Sequence, residues 1–295
     1  MKYIKLFENF DDDKISEFCD KHHIYDYTIN DDHTIDIEQS VDIQLSDGIE
    51  ELPFKINKVE GNFQIRSSNL TSMYNFPNEI DGDLNIYNSN IKNLDYLPIK
   101  FKNLNLFDNK ITSLKGLPEH IHGDLTVNGN ELTNLEHCPK IIDGSFNCSW
   151  NKITSLIGCP ETINGWFWCH DNKLTTLEGG PKYIKGYYHF GENDIRTFEF
   201  LPKTFELFGY DYSPIGIILK LFMGNDIGKQ FEENSDFKEI LNLLSNSNFI
   251  NRKQDSEKPR LSLRRLNNIL EMYEKNLLDV DSDVYKILEE YYEIY

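Results

Sequence analysis

Apolar and polar positions in this chain alternate in short bursts, and the bursts return at a fixed interval. Apolar pairs one residue apart occur at Phe63 and Ile65, Leu84 and Ile86, Leu104 and Leu106, and Leu125 and Val127. They continue with Phe146 and Cys148, Phe167 and Cys169, Tyr188 and Phe190, and Phe208 and Tyr210. Period-two alternation marks a strand with one buried face. Three residues after each pair stands a small polar residue: Ser68, Ser89, Asn109, Asn130, Asn151, Asn172, Asn193 and Ser213. An aliphatic follows two residues later, from Leu70, Ile91 and Ile111 to Leu174, Ile195 and Ile215. Proline recurs at 77, 98, 118, 139, 160, 181 and 202, a step of 20 or 21 residues. A unit this short cannot bury its own apolar face, so repeats of this kind stack into a solenoid. Glycine precedes most strands, at 61, 82, 123, 144, 165 and 186, where it is expected to accommodate a bulge or a positive φ.

The segment "PIKFKNLNLFDNKITSLKGLP", residues 98 to 118, shows the full unit. It resembles a leucine-rich repeat, in particular the short type of secreted bacterial effectors, over roughly residues 41 to 215. The resemblance implies an α/β solenoid with a concave parallel β-sheet and a convex side too short for helices. It also implies that each asparagine bonds backbone groups at the turn leaving its strand, coil on coil. The glycine-containing variant of the unit resembles a subfamily associated with large tailed-phage genomes and some bacteria.

The inward register leaves the alternate positions facing outward. They are polar in the early coils (Asn62, Gln64, Arg66; Asp83 and Asn85 with Tyr87; Asn103 and Asn105 with Phe107) and small and polar in the middle ones (Asp124, Thr126, Asn128; Ser145, Asn147, Ser149). The character then changes to Trp166, Trp168, His170, Tyr187 and His189, with Trp150 at a strand exit. All three tryptophans fall here. Strands about 4.8 Å apart place Trp166 beside Tyr187 and Trp168 beside His189. Three readings stand: a contact surface for a ligand or protein, an internal interface covered by the C-terminal segment, or an aromatic ladder that stiffens the sheet.

The ends read as caps. In residues 1–40, Ile15, Phe18 and Cys19 lie at helical spacing behind Asp11, Asp12 and Asp13, and "YTINDDHTIDI" reads as a hairpin around Asn30, Asp31 and Asp32. The opening "MKYIKLFENF" resembles the capsid-targeting peptide of tailed-phage head proteins. That family is cut after a Leu/Ile-x-Glu motif, which Leu6-Phe7-Glu8 and Ile15-Ser16-Glu17 match. The plain alternative is a short amphipathic helix or tail. Residues 216–295 read as a helical C-terminal domain, with Leu263, Leu266, Ile269, Leu270, Tyr273 and Leu277 on one stripe and Val284, Ile287, Leu288 and Tyr291 on another. A basic cluster (Arg252, Lys253, Lys258, Arg260, Arg264, Arg265) reads as a solvated face or an acidic-partner contact.

Charge and chemistry narrow the function. A formal net charge of −19 over 295 residues disfavours general nucleic-acid binding and anionic membrane surfaces. No apolar run reaches membrane-spanning length, and no secretory signal is legible, so a cytoplasmic or virion location is expected. The five cysteines show no CxxC spacing and read as reduced packing residues. Cys19, His22 and His23 lack a carboxylate at ligand spacing. No P-loop, GxSxG, HExxH or dinucleotide fingerprint occurs, so no enzyme, cofactor or metal is expected. The expected function is a non-catalytic scaffold binding a protein partner through Trp166, Trp168, His170, Tyr187, His189 and Trp150, of unspecified oligomeric state. The alternative is a carbohydrate-binding module using the same patch.

Overall fold

The structure is a computed structural model. It describes residues 11–45, 49–66, 69–195, 200–202 and 204–207, and between 250 and 294 only 250–251, 260–261, 263–264, 266–267, 286, 288–289 and 293–294. The described residues form a parallel β-solenoid of about seven turns, with very little helix among them. Contacts divide the chain into two compact units, Met1–Lys152 and Ile153–Tyr295.

The first unit opens with one helix, α1, Asp12–Lys21. Asp11 caps it, its carboxylate accepting from the Lys14 backbone N at 3.1 Å, and Asp12 and Asp13 place negative charge at the positive end of the helix dipole. Ile15 and Cys19 are fully buried, one turn apart on the same face. The hairpin pairs Tyr27–Ile29 antiparallel with Ile35–Ile37. Its turn is closed by the His33 backbone N donating to the Asn30 carbonyl at 2.9 Å, with His33 in the left-handed region at φ 58°.

From Val41 every pairing in this unit is parallel. Val41–Gln44, Phe63–Arg66, Leu84–Tyr87, Leu104–Asn105, Leu125–Thr126 and Phe146–Asn147 form one ladder, with Phe63 opposite Leu84 and Leu125 opposite Phe146. A second ladder runs Ile35–Ile37, Ile56–Val59, Glu79–Ile80, and a further parallel pair joins His120–Ile121 to Ile141–Ile142. In the second unit Phe167–Trp168 and Thr162–Ile163 both pair with the long strand Tyr183–His189, which also pairs with Thr204–Leu207. Every inward residue named above from Phe63 to Phe190 is buried, as are Leu70, Ile91, Ile111, Leu132, Ile153, Leu174 and Ile195. The register expected from the alternation therefore holds across the described coils.

The asparagines tie these coils together. Nδ2 of Asn130 donates to the carbonyls of Leu106 and Val127 at 2.9 and 3.0 Å, while its Oδ1 accepts from the Ile111 backbone N at 3.0 Å. Asn109 and Asn151 repeat the pattern, and in the second unit Asn193 bonds Cys169 and Phe190 carbonyls and the Leu174 N. Each amide thus satisfies backbone groups that the turn would otherwise bury unpaired. The residue before each polar position is left-handed in every described coil from Asn88 onward: Asn88, Asp108, Gly129, Trp150, Asp171 and Glu192, with φ between 51° and 67°.

The recurrent pre-strand glycines differ from expectation. None of Gly61, Gly82, Gly123, Gly144 or Gly186 has a positive φ. A Cβ at Gly82, Gly123 or Gly144 would instead strike the side-chain oxygen of Asn62, Asn103 or Asp124 in the preceding coil. Those oxygens accept from the backbone N of Asp83, Asn103's successor Asp124, and Ser145, at 2.9, 2.7 and 2.7 Å respectively. The glycine makes room for a second coil-to-coil polar ladder, so its reason is close approach rather than a bulge.

The C-terminal region also departs from the reading as all helix. Its described pieces include a three-stranded sheet of Ile250–Asn251, Arg260–Leu261 and Glu293–Ile294. Helical positions occur at Leu263, Arg264, Leu266 and Asn267 and at Lys286, Leu288 and Glu289, with Leu266 and Leu288 buried. The stripe residues Ile269, Leu270, Tyr273, Leu277, Val284, Ile287 and Tyr291, the basic residues Arg252, Lys253, Lys258 and Arg265, and the capsid-peptide match at Leu6-Phe7-Glu8 lie outside the described residues. Ile15-Ser16-Glu17 lies within α1, with Ile15 buried in the cap.

Candidate functional site

In the first unit the centre of the outward row is polar from coil to coil: Gln64, Asn85, Asn105, Thr126 and Asn147, all partly exposed. In the second unit the same row carries Trp168 opposite His189, with Phe167 opposite Tyr188 on the inner side. The inner pair stacks at 5.3 Å and 11°. The outer face has its own aromatic contacts. Trp166 meets Trp168 edge-on at 5.1 Å and Tyr187 at 5.4 Å. Such edge-to-face pairs contribute about 0.5–1.5 kcal/mol each beyond area burial. Trp166 nonetheless keeps 44% of its surface exposed, while Trp168 and Tyr187 are half-buried.

The two histidines meet as well, and this contact was not anticipated. The rings of His170 and His189 stack with centroids 4.1 Å apart and 27° between planes. The pairing is diagonal, because His189 lies opposite Trp168 rather than His170. Nδ1 of His170 lies 2.7 Å from Oδ2 of Asp171, which fixes that ring nitrogen as a hydrogen-bond partner of a carboxylate. The backbone behind it is held too, since Asn172 Nδ2 donates to the His170 carbonyl at 3.2 Å.

Five of the six expected residues thus form one aromatic and imidazole surface. Trp150 belongs to the first unit, where it occupies the left-handed position after the strand Phe146–Asn147 with φ 55° and 63% exposure. A bulky side chain in that conformation costs of order 1 kcal/mol or more.

Gly186 explains how Trp166 fits. Trp166 stands where earlier coils place Asn62, Asn103 or Asp124, and its indole passes directly over Gly186. In the second unit the side chain over the glycine is aromatic, where the first unit has a polar one.

The cysteine reading stands on its physical side: all five are free, and Cys19, Cys148 and Cys169 are buried. Burial pushes the Cys19 thiol up to about 11, aided by the Asp20 charge and opposed by a hydrogen bond from Tyr27. His22 packs on Phe18 and His23 pairs with the Tyr25 hydroxyl, so neither joins Cys19 in a ligand set. A surface depression beside them is lined by Lys21, His22, His23, Ser40, Asp42, Gln44 and Arg66. Its arginine already forms a two-point pair with Asp42.

Sequence reasoning missed one constellation, His120, His122 and Asp143, whose donor atoms lie within 4.8 Å of one another. The signal was present in the period: Asp143 follows His122 by one coil length. No helix among the described residues is long and apolar enough to cross a membrane. Comparison with protein-family models, curated proteins and solved structures finds no match to this chain.

Proposed function

We propose that this chain is a non-catalytic interaction scaffold that binds a protein partner through the outward face of its second unit, centred on Trp166, Trp168, Tyr187, His170 and His189. The repeat is read as the leucine-rich type, and on the resemblance of its units and N-terminus the chain is read as phage-encoded, either packaged in the virion or directed at a host factor. The observation that carries the binding surface is Trp166: a tryptophan held by two edge-on ring contacts yet 44% exposed, in a row that is polar through the first unit. Tryptophan and tyrosine held rigidly with one face open are the residues that dominate binding hot spots, because little side-chain entropy remains to be lost on contact.

A carbohydrate-binding module is the second reading, supported by the same exposed indole beside the Tyr187, His170 and Asp171 polar groups. One experiment separates them. The full chain and its Trp166→Ala/Trp168→Ala variant are matched for melting temperature, then compared for partner retention and for quenching of tryptophan emission by soluble glycans. A protein retained by the parent and lost from the variant supports the scaffold. Glycan quenching without such a protein supports the module, and neither response removes the site.

A further inference from the structure

The strand His120–Ile121 turns Ile121 into the core and leaves His120 and His122, two residues apart, on the other side. Their rings lie 4.0 Å apart. The parallel strand Ile141–Ile142 of the next coil brings up Asp143, whose Oδ2 lies 2.8 Å from His120 Nε2 and 3.4 Å from His122 Nδ1. Among the described residues this is the one group of three such side chains with donors so close.

Earlier coils show what the same lateral row looks like without imidazoles. There Asp81 sits between Lys100 at 2.6 Å and Lys58 at 3.5 Å. Ammonium groups have no lone pair and can only pair with the carboxylate. Neutral imidazoles in their place offer nitrogen lone pairs beside an ionised oxygen. Glu119, next in the chain, is occupied by Lys140 at 2.8 Å and does not compete.

We propose that His120, His122 and Asp143 bind one divalent transition-metal ion of the borderline class, with zinc(II) as its type, clipping two adjacent coils together. Two imidazoles and a carboxylate are the donors this class prefers, whereas magnesium and calcium require oxygen cages. Bond lengths of about 2.0–2.1 Å in a tetrahedral site separate donors by about 3.3 Å. The His122–Asp143 separation of 3.4 Å already meets that edge. The His120–Asp143 separation of 2.8 Å must open by about half an ångström, which rotation of these side chains on the surface supplies. Three protein donors leave a coordination position for water or an outside ligand.

The test uses the full, tag-free chain stripped of metal. Zinc(II) is titrated by calorimetry and cobalt(II) by visible absorption, with magnesium(II) in parallel. The expected result is one ion per chain with ligand-field bands of low-coordinate cobalt, no comparable magnesium binding, and a zinc-dependent rise in melting temperature. His122→Ala is expected to weaken binding by about tenfold or more, since removing even a supporting partner of a ligand costs that much. His122 is 73% exposed, so this variant should melt like the parent without metal. His170→Ala, in the other histidine cluster, should bind as the parent does. The proposal is overturned if zinc does not saturate at one ion per chain, if magnesium binds equally, if His122→Ala and Asp143→Asn retain parental affinity, or if the loss follows His170→Ala instead.

Discussion

Trp166 lies so close over Gly186 that a methyl group added at residue 186 would collide with Cδ1 and Nε1 of the indole and stand 3.2 Å from the Gly165 carbonyl oxygen. The exposed tryptophan of the candidate site therefore depends on the absence of a side chain one coil on. Gly186→Ala is expected to destabilise the chain by about 1–3 kcal/mol through overpacking and to change tryptophan emission as the indole is displaced. In a Trp166→Ala background the same substitution should cost much less. A double-mutant cycle by denaturant unfolding measures this coupling, and strict additivity would show that the two residues do not meet.

The asparagine ladder predicts an effect of similar size. Asn130→Ala leaves the Ile111 N without its partner in a buried turn, while the Leu106 and Val127 carbonyls keep the bonds from Asn109 and Asn151. The expected loss is about 1–3 kcal/mol for each group that water cannot reach. Asn134→Ala, on the exposed side of the same coil, serves as the comparison and should shift the unfolding midpoint by less than about 0.5 kcal/mol beyond the loss of its local bond to the Glu136 N.

Thiol chemistry checks the core directly. With Cys19, Cys148 and Cys169 buried and the Cys19 thiol raised to about 11, these three should resist a thiol-specific reagent at pH 8 in the native chain. All five should react once the chain is unfolded in denaturant. Immediate native modification of Cys148 or Cys169, located by peptide mapping, would contradict the inward register.

Asp81 gives a pH dependence of definite sign. Its carboxyl is held below the usual value chiefly by the Lys100 hydrogen bond, which with the attraction of Lys100 and Lys58 outweighs the opposing effect of burial. A depressed folded-state pKa means stabilisation that is present above the unfolded value of about 3.9 and lost as pH falls through the folded one. The melting difference between the parent and Asp81→Asn should therefore be seen at neutral pH and shrink in acid below that range. Raising salt at neutral pH should shrink it too, because all three groups lie at the surface.

How far the sequence revealed the molecule depended on which interactions repeat. The strand register was legible because Phe63, Leu84, Leu104, Leu125, Phe146 and Phe167 recur at coil length and all face one core. The juxtaposition of Trp166 with Tyr187 followed from the same period. The purpose of Gly82 and Gly144 did not, because a glycine chosen for a neighbour's side chain looks the same in sequence as one chosen for its own φ. The diagonal stacking of His170 on His189 escaped for a related reason: side-chain direction decides it, and strand pairing alone puts His189 against Trp168. At the C-terminus, helical spacing of Leu263, Leu266 and Leu288 did not exclude the short strands around Ile250, Leu261 and Ile294. Two-residue strands are too brief to show a period.

The coil-to-coil bonds accepted by the turn asparagines, Asn109, Asn130, Asn151, Asn172 and Asn193, all point one way along the chain. The backbone N of Ile91 is satisfied by Asn109, 18 residues later, and those of Ile111, Ile153 and Leu174 by Asn130, Asn172 and Asn193, each 19 residues later. A coil is therefore finished by a side chain that the ribosome has not yet made when the coil itself emerges. During synthesis the growing end carries one incomplete turn at all times, closed only when the next repeat arrives and opened again at the new end. The order of translation and the order of closure are the same, and a chain released early within these coils ends on a backbone N–H whose asparagine acceptor was never made.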